Sequence, residues 1–259
     1  MVEAPTELLD EYAAWRWEPV SIYPGRSTMY RLSSPAGQTR YLKIVRHGWT
    51  PSAIAEAERT AWVSKFLPVP RVLKCGVTQR GDWLITEGID SVDATAAALR
   101  DDVYGLVNRL GEGLRRFHGT PIDDCPFQFR IDDAMELVRH RLETGQIDGP
   151  RDFHPEFAEL TEEAAVAELL ASVPESEDLV VCHGDYCVPN VLLRGADVVG
   201  FVDLGELGVA DRWWDLAVAT WSITWNFGPG FEDRFLETYG VQRDERRTQF
   251  YRLLYDLVS

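Results

Sequence analysis

The stretch VVCHGDYCVPNVLL, residues 180–193, sets a carboxylate and an amide between two apolar runs that read as strands. A core strand cannot carry Asp185 inward unpaired, because burying a lone carboxylate is costly. The residue fits a strand end that opens toward a ligand, where it can accept a proton from a hydroxyl. Asn190 then offers a neutral amide oxygen, and a second strand leads to GFVDLG with Asp203 and Gly205. An amide oxygen and a carboxylate on neighbouring strand ends are hard donors suited to Mg²⁺. Taken singly, Asp185 and Asn190 are also common loop-capping residues. His-Gly-Asp-x-x-x-x-Asn followed by Val-Asp-x-Gly, with strands on both sides, is poorly explained by capping alone.

A base, an amide and a second carboxylate in that order match the phosphoryl-transfer pattern of kinases. That pattern requires a strand lysine upstream and an acidic partner on a helix. RYLKIV supplies Lys43, and alternation puts Tyr41 and Lys43 on one face of the strand. The following helix, within TPSAIAEAERTAWVSKFL, carries Glu56 and Glu58. These two lie about 200° apart around a helix, so only one can face Lys43, and periodicity leaves open which.

Composition narrows the class. Hydrophobic residues make up 45% of 259 residues, including nine Trp, enough for a substantial core in one large domain or two lobes. No apolar run reaches transmembrane length, and the acidic N-terminus lacks signal-peptide character, so a cytoplasmic protein without membrane association is expected. Cys75, Cys125, Cys182 and Cys187 show no paired framework, and reduced, mostly buried thiols are expected. The net charge of −16 is uneven: residues 1–90 sum to +1 and the remainder to −17. Such a chain repels nucleic acid and attracts cations.

The organisation is α+β. STMYRLSS, TRYLKIVRH, LPVPRVLKCGV and DWLITEGI read as strands, giving residues 1–90 a mostly antiparallel sheet with one helix and a hinge at its end. Residues 91–259 are mainly helical, with short strands around the opening motif. HPEFAELTEEAAVAELLASV reads as one acidic helix containing Glu156, Glu159, Glu162 and Glu163.

The chain resembles the aminoglycoside O-phosphotransferases of the 3′/3″-hydroxyl branch, whose fold is similar to that of protein kinases. The resemblance runs through YLKI, LPVPRVL, WLITEG, LRRFHGTPIDDCPF, HGDYCVPNVLL, GFVDLGELGVADRWWDLAVAT and FYRLLYDL, in that order. It implies a bilobal kinase-like fold and transfer of phosphate from ATP or GTP, with Mg²⁺, to a cationic small molecule, by a monomer or weak homodimer. It implies Asp185 as catalytic base, Asn190 and Asp203 as metal ligands, and Lys43 on the nucleotide phosphates with Glu56 as its partner. It further implies that Tyr41 stacks on adenine and that backbone groups of Thr86 and Gly88 bond the adenine edge. Gly25 and Ser27 would lie nearest the phosphates, in a loop about two residues shorter than the family's. His183, Asp211 and Asp215 would brace the catalytic loop.

Departures fall on the acceptor side. Glu206 stands where the 3′ enzymes commonly have Arg, and Trp225-Asn226 stands where they often have an acidic pair. Asp256 keeps one carboxylate near the C-terminus, to which the terminal carboxylate of Ser259 can add. Glu156, Glu206, Asn226 and Asp256 are therefore the candidate acceptor-binding residues. A same-fold kinase for another hydroxylated metabolite or antibiotic is the alternative. A non-catalytic nucleotide-binding module fits poorly with Lys43, Asp185, Asn190 and Asp203 all present. A protein kinase fits poorly without an Ala-Pro-Glu-type segment after Asp203.

Overall fold

Alternating side chains in the first third of the chain build a sheet whose two faces receive different covers. In this computed structural model, which describes residues 4–149 and 153–258, β1 (Arg16–Tyr23), β2 (Ser27–Ser33), β3 (Thr39–Arg46), β4 (Val72–Val77) and β5 (Gly81–Glu87) form an antiparallel sheet. Its strand order is β1-β2-β3-β5-β4. Leu42 and Ile44 of β3 join Leu32, Trp83 and Ile85 on one face, covered by Leu8 and Tyr12. Leu8 belongs to α1 (Thr6–Glu11), a short helix additional to the single one expected. On the opposite face Val45 and Leu84 pack on Ala53 and Ala57 of α2 (Ala53–Val63). Tyr41 and Lys43 share that second face by the two-residue period of the strand.

Strand β1 escaped the sequence reading for a physical reason. It is an edge strand, mostly exposed, so no apolar stripe marks it. Pro19 beside its bulge suits an edge, where a missing N–H costs little. Helix α2 begins at Ala53, two residues after the proline. Ser52 caps it by accepting from the Ala55 N–H, and Asp82 of β5 accepts from Ala53 and Ile54 at 3.2 and 3.3 Å. A carboxylate at a helix N-terminus satisfies orphan N–H groups and complements the dipole.

By backbone contacts the chain forms two compact units, Met1–Asp93 with Asn190–Glu206, and Ala94–Pro189 with Leu207–Ser259. The first unit thus includes a segment far along the sequence, which a single boundary near residue 90 does not describe. Strand β8 (Val191–Arg194) pairs with β6 (Val92–Asp93) and with β9 (Asp197–Phe201), forming a small sheet. The Phe201 N–H then donates to the Pro68 carbonyl at 3.1 Å.

The second unit contains α3 (Val103–His118), α4 (Ile131–Glu143), α5 (Glu162–Ser172), α6 (Trp213–Phe227), α7 (Glu232–Tyr239) and α8 (Glu245–Val258). An antiparallel pair, β7 (Leu179–Cys182) with β10 (Gly208–Asp211), accompanies them. Residues Trp213 to Ile223 of α6 are all buried, as expected for an apolar helix at the centre of a bundle. The expected acidic helix is shorter than read. Residues 155–159 form turns, and α5 starts at Glu162 with the Thr161 hydroxyl accepting from the Ala164 N–H. Thr161 caps the helix, with Glu162 and Glu163 in the favoured first turn, so Glu156 and Glu159 lie outside it. No helix among the described residues is long and apolar enough to cross a membrane.

Candidate functional site

In the first unit, the β3 pleat sends Lys43 toward α2 and toward the end of β9. Its Nζ donates to Glu56 Oε2 at 2.6 Å and to Asp203 Oδ1 at 2.5 Å. Helix phase now separates the two glutamates: Glu56 is 7% exposed, while Glu58 faces solvent. Burial opposes the Lys43 ammonium, but the Glu56 and Asp203 charges outweigh it and hold its pKa above the ordinary lysine range. Burial raises the Glu56 carboxyl, with Asp203 adding to the rise and Lys43 opposing it. One ammonium between two carboxylates leaves the cluster with an excess negative charge.

Asp203 has a φ of 61°, alone among the described non-glycine residues in the left-handed region. That conformation costs about 1–2 kcal/mol in an L-residue. The surrounding chain supports it: the Val202 N–H donates to the Asn190 carbonyl at 3.0 Å, tying the end of the 3-10 turn Val188–Asn190 to the approach to Asp203. Gly205 lies against Pro51 so closely that a Cβ would enter the proline ring. The glycine of Val-Asp-x-Gly is therefore a packing requirement. Asn190 is half-buried, and the Asp203 side chain is 40% exposed.

The remaining nucleotide-side candidates lie on the same sheet. Tyr41 pairs with Thr86 across β3 and β5, and both are half-buried. Of the Gly88 backbone groups, the N–H donates to the Thr39 carbonyl at 2.9 Å. Closing that sheet end uses the donor, so Gly88 offers no N–H to a nucleobase without breaking the bond. Ser27 opens β2, in register with Tyr23 and Val45. The preceding loop is short, Pro24-Gly25-Arg26, with Gly25 at φ 77° as its left-handed turn residue. The Arg26 guanidinium stacks 4.2 Å from the Trp49 ring centre.

In the second unit, the loop after β7 is fixed by residues that come later in the chain. Asp215, wholly buried in the first turn of α6, accepts from the His183 N–H at 2.6 Å and the Gly184 N–H at 2.9 Å. His118 reaches the same carboxylate through Nε2 at 2.9 Å, and its Nδ1 meets the Tyr239 hydroxyl at 2.8 Å. The Trp214 indole donates to the Gly184 carbonyl, and the Ser222 hydroxyl accepts from the Val188 N–H. Asp185 is left half-buried, its Oδ1 accepting from Cys187 Sγ at 3.0 Å and from the Tyr255 hydroxyl at 3.3 Å. Its own N–H donates to His183 Nδ1 at 3.3 Å. Asp211 accepts from the Trp213 and Asp178 N–H groups and pairs with Arg247 at 2.7 Å.

Sequence reasoning passed over His118, Ser222 and Tyr255. Only the His-Gly-Thr-Pro run around His118 carried a local signal, since hydroxyls on long helices look like ordinary core or surface positions. His118, Cys182 and Asp215 also lie close enough to resemble a metal site. Both His118 nitrogens and both Asp215 oxygens have hydrogen-bond partners, so bracing explains the cluster. Burial raises the Cys182 thiol well above its usual range, consistent with a packing role.

The acceptor candidates divide. Asp256 is 0% exposed, with Oδ2 accepting from the His154 N–H at 2.8 Å and Oδ1 bonded to His154 Nδ1. Contrary to expectation it presents no exposed oxygen to an acceptor, because α8 turns it inward as the anchor of residue 154. Glu156 accepts from Trp221 Nε1, Gln249 and Arg252. The Asn226 amide donates back to the Ser222 carbonyl at 2.7 Å, and Glu206 is exposed. Ser259, whose terminal carboxylate was a further candidate, lies outside the described residues.

Comparison with known proteins places this geometry among relatives. The model of the phosphotransferase enzyme family matches residues 21–251. The chain is 36% identical to an aminoglycoside 3′-phosphotransferase of Streptomyces fradiae, over 94% of this chain and 96% of that one. It is 34% identical to a streptomycin 3″-kinase of Streptomyces griseus, covering 91% and 89%. A crystal structure of an aminoglycoside-3′-phosphotransferase of type VIII superposes with a TM-score of 0.89 at 31% identity, over 97% of each chain. The aminoglycoside phosphotransferase APH(3″)-Id from Streptomyces rimosus, in complex with ADP and streptomycin, superposes at 0.82 with 28% identity, over 98% and 97%.

Proposed function

We propose a reaction from one premise: the chain belongs to the phosphotransferase enzyme family. It is a small-molecule kinase, and the reaction is transfer of the ATP γ-phosphoryl group to a 3′ or 3″ hydroxyl of an aminoglycoside, which confers resistance to that drug. The observation that carries the reading is Lys43 held between Glu56 and Asp203 within a chain whose relatives are aminoglycoside kinases.

In this reading the Lys43 ammonium steers the nucleotide phosphates, and Glu56 keeps it extended from β3. Asp203 and Asn190 are fitting ligands for Mg²⁺: both offer hard oxygens, and Asp203 is partly exposed and already draws a cation to one oxygen. The metal, when bound, offsets charge on the phosphate oxygens. Asp185 accepts the proton of the acceptor hydroxyl as its oxygen bonds to the γ-phosphorus and the bond to the bridging oxygen breaks, releasing ADP. Asp215 and His118 hold the loop that presents Asp185. The −17 charge of residues 91–259 attracts a polycationic acceptor, with strong salt dependence. The protein acts in the cytoplasm, where ATP is available.

A second reading, a same-fold kinase for another hydroxylated acceptor, is favoured by the inward turn of Asp256, which leaves one carboxylate fewer for a polycation. Coupled ADP release with kanamycin, neomycin, streptomycin and unrelated hydroxylated antibiotics separates the two. Turnover on an aminoglycoside, with the phosphate located by mass spectrometry, supports the first. Turnover confined to another antibiotic establishes the second and overturns the first.

A further inference from the structure

Most large apolar side chains of the second unit are buried, but Trp225, near the end of α6, is 52% exposed. It is not a loose surface residue. One face stacks on the His154 ring, with centroids 4.6 Å apart and planes 17° from parallel. Trp221, one turn earlier, stacks against Trp225 at 5.5 Å and 22°, and meets His154 at 4.2 Å. His154 is fixed in turn by Asp256, which takes both its backbone N–H and its Nδ1. A fully buried carboxylate thus serves to immobilise one ring of a three-ring stack whose outer member is left open. Burying that charge is unfavourable, and desolvation raises the Asp256 pKa despite the His154 bonds.

The stack adjoins the catalytic loop of its own unit. Tyr255, the neighbour of Asp256 on α8, has its ring 6.4 Å from His154, and its hydroxyl donates to Asp185 Oδ1. Next to the stack lies a cavity of about 310 Å³, bordered by His154, Trp221 and Trp225 and by the charges of Glu156, Glu232, Glu245, Arg243 and Arg252. Burial alone would raise Glu232, but bonds from the Thr224 hydroxyl and the Gly230 N–H lower it, so it remains ionised. Glu156 pairs with Arg252 and Glu245 with Arg243, which leaves Glu232 as the surplus negative charge of the wall.

We infer that Trp225, backed by the clamped His154, is a specificity-determining acceptor-binding residue that stacks on the C–H face of a saturated, amino-substituted ring. A rigid indole offers such a ring a broad apolar face at little entropic cost. Glu232, the surplus carboxylate of the cavity wall, receives an ammonium group of the ring, and the reacting hydroxyl extends toward Asp185. This inference rests on the aminoglycoside reading, which it deepens by naming the surface that selects the acceptor. Asp256 then acts through His154 as a positioning residue.

The test uses the intact enzyme with kanamycin, neomycin and streptomycin as acceptors. Trp225→Ala is expected to raise the acceptor KM about tenfold, the upper end of what one stacked ring contributes. The loss should fall on the acceptor KM, with the KM for ATP unmoved, and Trp225→Phe should restore most of it. Asp256→Asn should raise the acceptor KM in the same direction, and a double variant with Trp225→Ala should add little, since both act on one stack. An acceptor KM within twofold of wild type in folded Trp225→Ala overturns the inference and leaves the aminoglycoside reading intact. Absence of wild-type turnover on all three drugs overturns that reading, and the inference with it.

Discussion

The two units hold their candidate site carboxylates, Asp203 and Asp185, by different physics. Around Lys43 the arrangement is made of charge: one ammonium bridges the Glu56 and Asp203 carboxylates. Around Asp185 it is made of geometry: N–H groups, an imidazole, an indole and a hydroxyl converge on a loop, and the charged residue that organises them, Asp215, is fully buried. Charge answers to substitution through nucleotide handling, whereas geometry answers through stability and loop position. The expected contrast is open to measurement at several strengths.

The largest effects belong to Asp203 and Asp185. Asp203→Ala and Asp185→Ala should each lower turnover by about 10²–10⁴, the span attributed to a lost base or lost electrostatic stabiliser. Isothermal titration then separates them: Mg-ATP binding should weaken in Asp203→Ala and persist in Asp185→Ala. If Asp185→Ala retains more than a tenth of wild-type turnover, its role as base is wrong.

Lys43→Met should come next, with kcat/KM for ATP reduced about a hundredfold and little change in acceptor KM. Glu56→Gln should be milder, about tenfold, because Asp203 still attracts the ammonium. Equal losses for ATP and acceptor in steady-state kinetics would contradict the division between charge and geometry.

Asp215→Asn probes the geometric side. The amide cannot accept at both oxygens, so one loop N–H loses its partner at a cost of about 1–3 kcal/mol. Thermal denaturation should reveal a clear loss of Tm, while nucleotide affinity stays near wild type. An unchanged Tm would mean that Asp215 does not brace the loop.

The smallest effect is a pH dependence. Burial pushes the Tyr239 hydroxyl up to about 12, above the value near 10 expected for an unfolded tyrosine. A raised folded pKa favours the protonated form, so this contribution is complete below about pH 10 and is lost as pH rises toward about 12. Tyr239→Phe should flatten denaturation curves in that window alone. Equal slopes for variant and wild type would remove Tyr239 from the account.

Much of the fold was readable because it rests on local signals. The period-two pattern of β3 located Lys43, and Val-Asp-x-Gly marked a sharp approach that Gly205 permits against Pro51. The choice between Glu56 and Glu58 was not readable, since helix phase depends on which side of α2 meets Val45 and Leu84. Asp256 misled for a related reason: a carboxylate late in an amphipathic helix looks solvent-facing unless its buried partner is known, and His154 lies 102 residues away. Edge strand β1 was obscured by its exposure, and the late start of α5 by an acidic run that continues through residues 156–163 without a helix-breaking signal.

Helix α6 carries Trp214 and Asp215 in its first turn, Ser222 further along and Trp225 near its end. The first three hold the loop of Asp185, and Trp225 touches none of that bracing. On the proposed reading, Ser222, which holds the loop, and Trp225, which meets the acceptor, lie within one turn of the same helix. A substitution at Trp225 therefore has to leave the Ser222 hydroxyl in place, so on that reading a change of acceptor and the position of the Asp185 loop are mechanically linked through less than one helical turn.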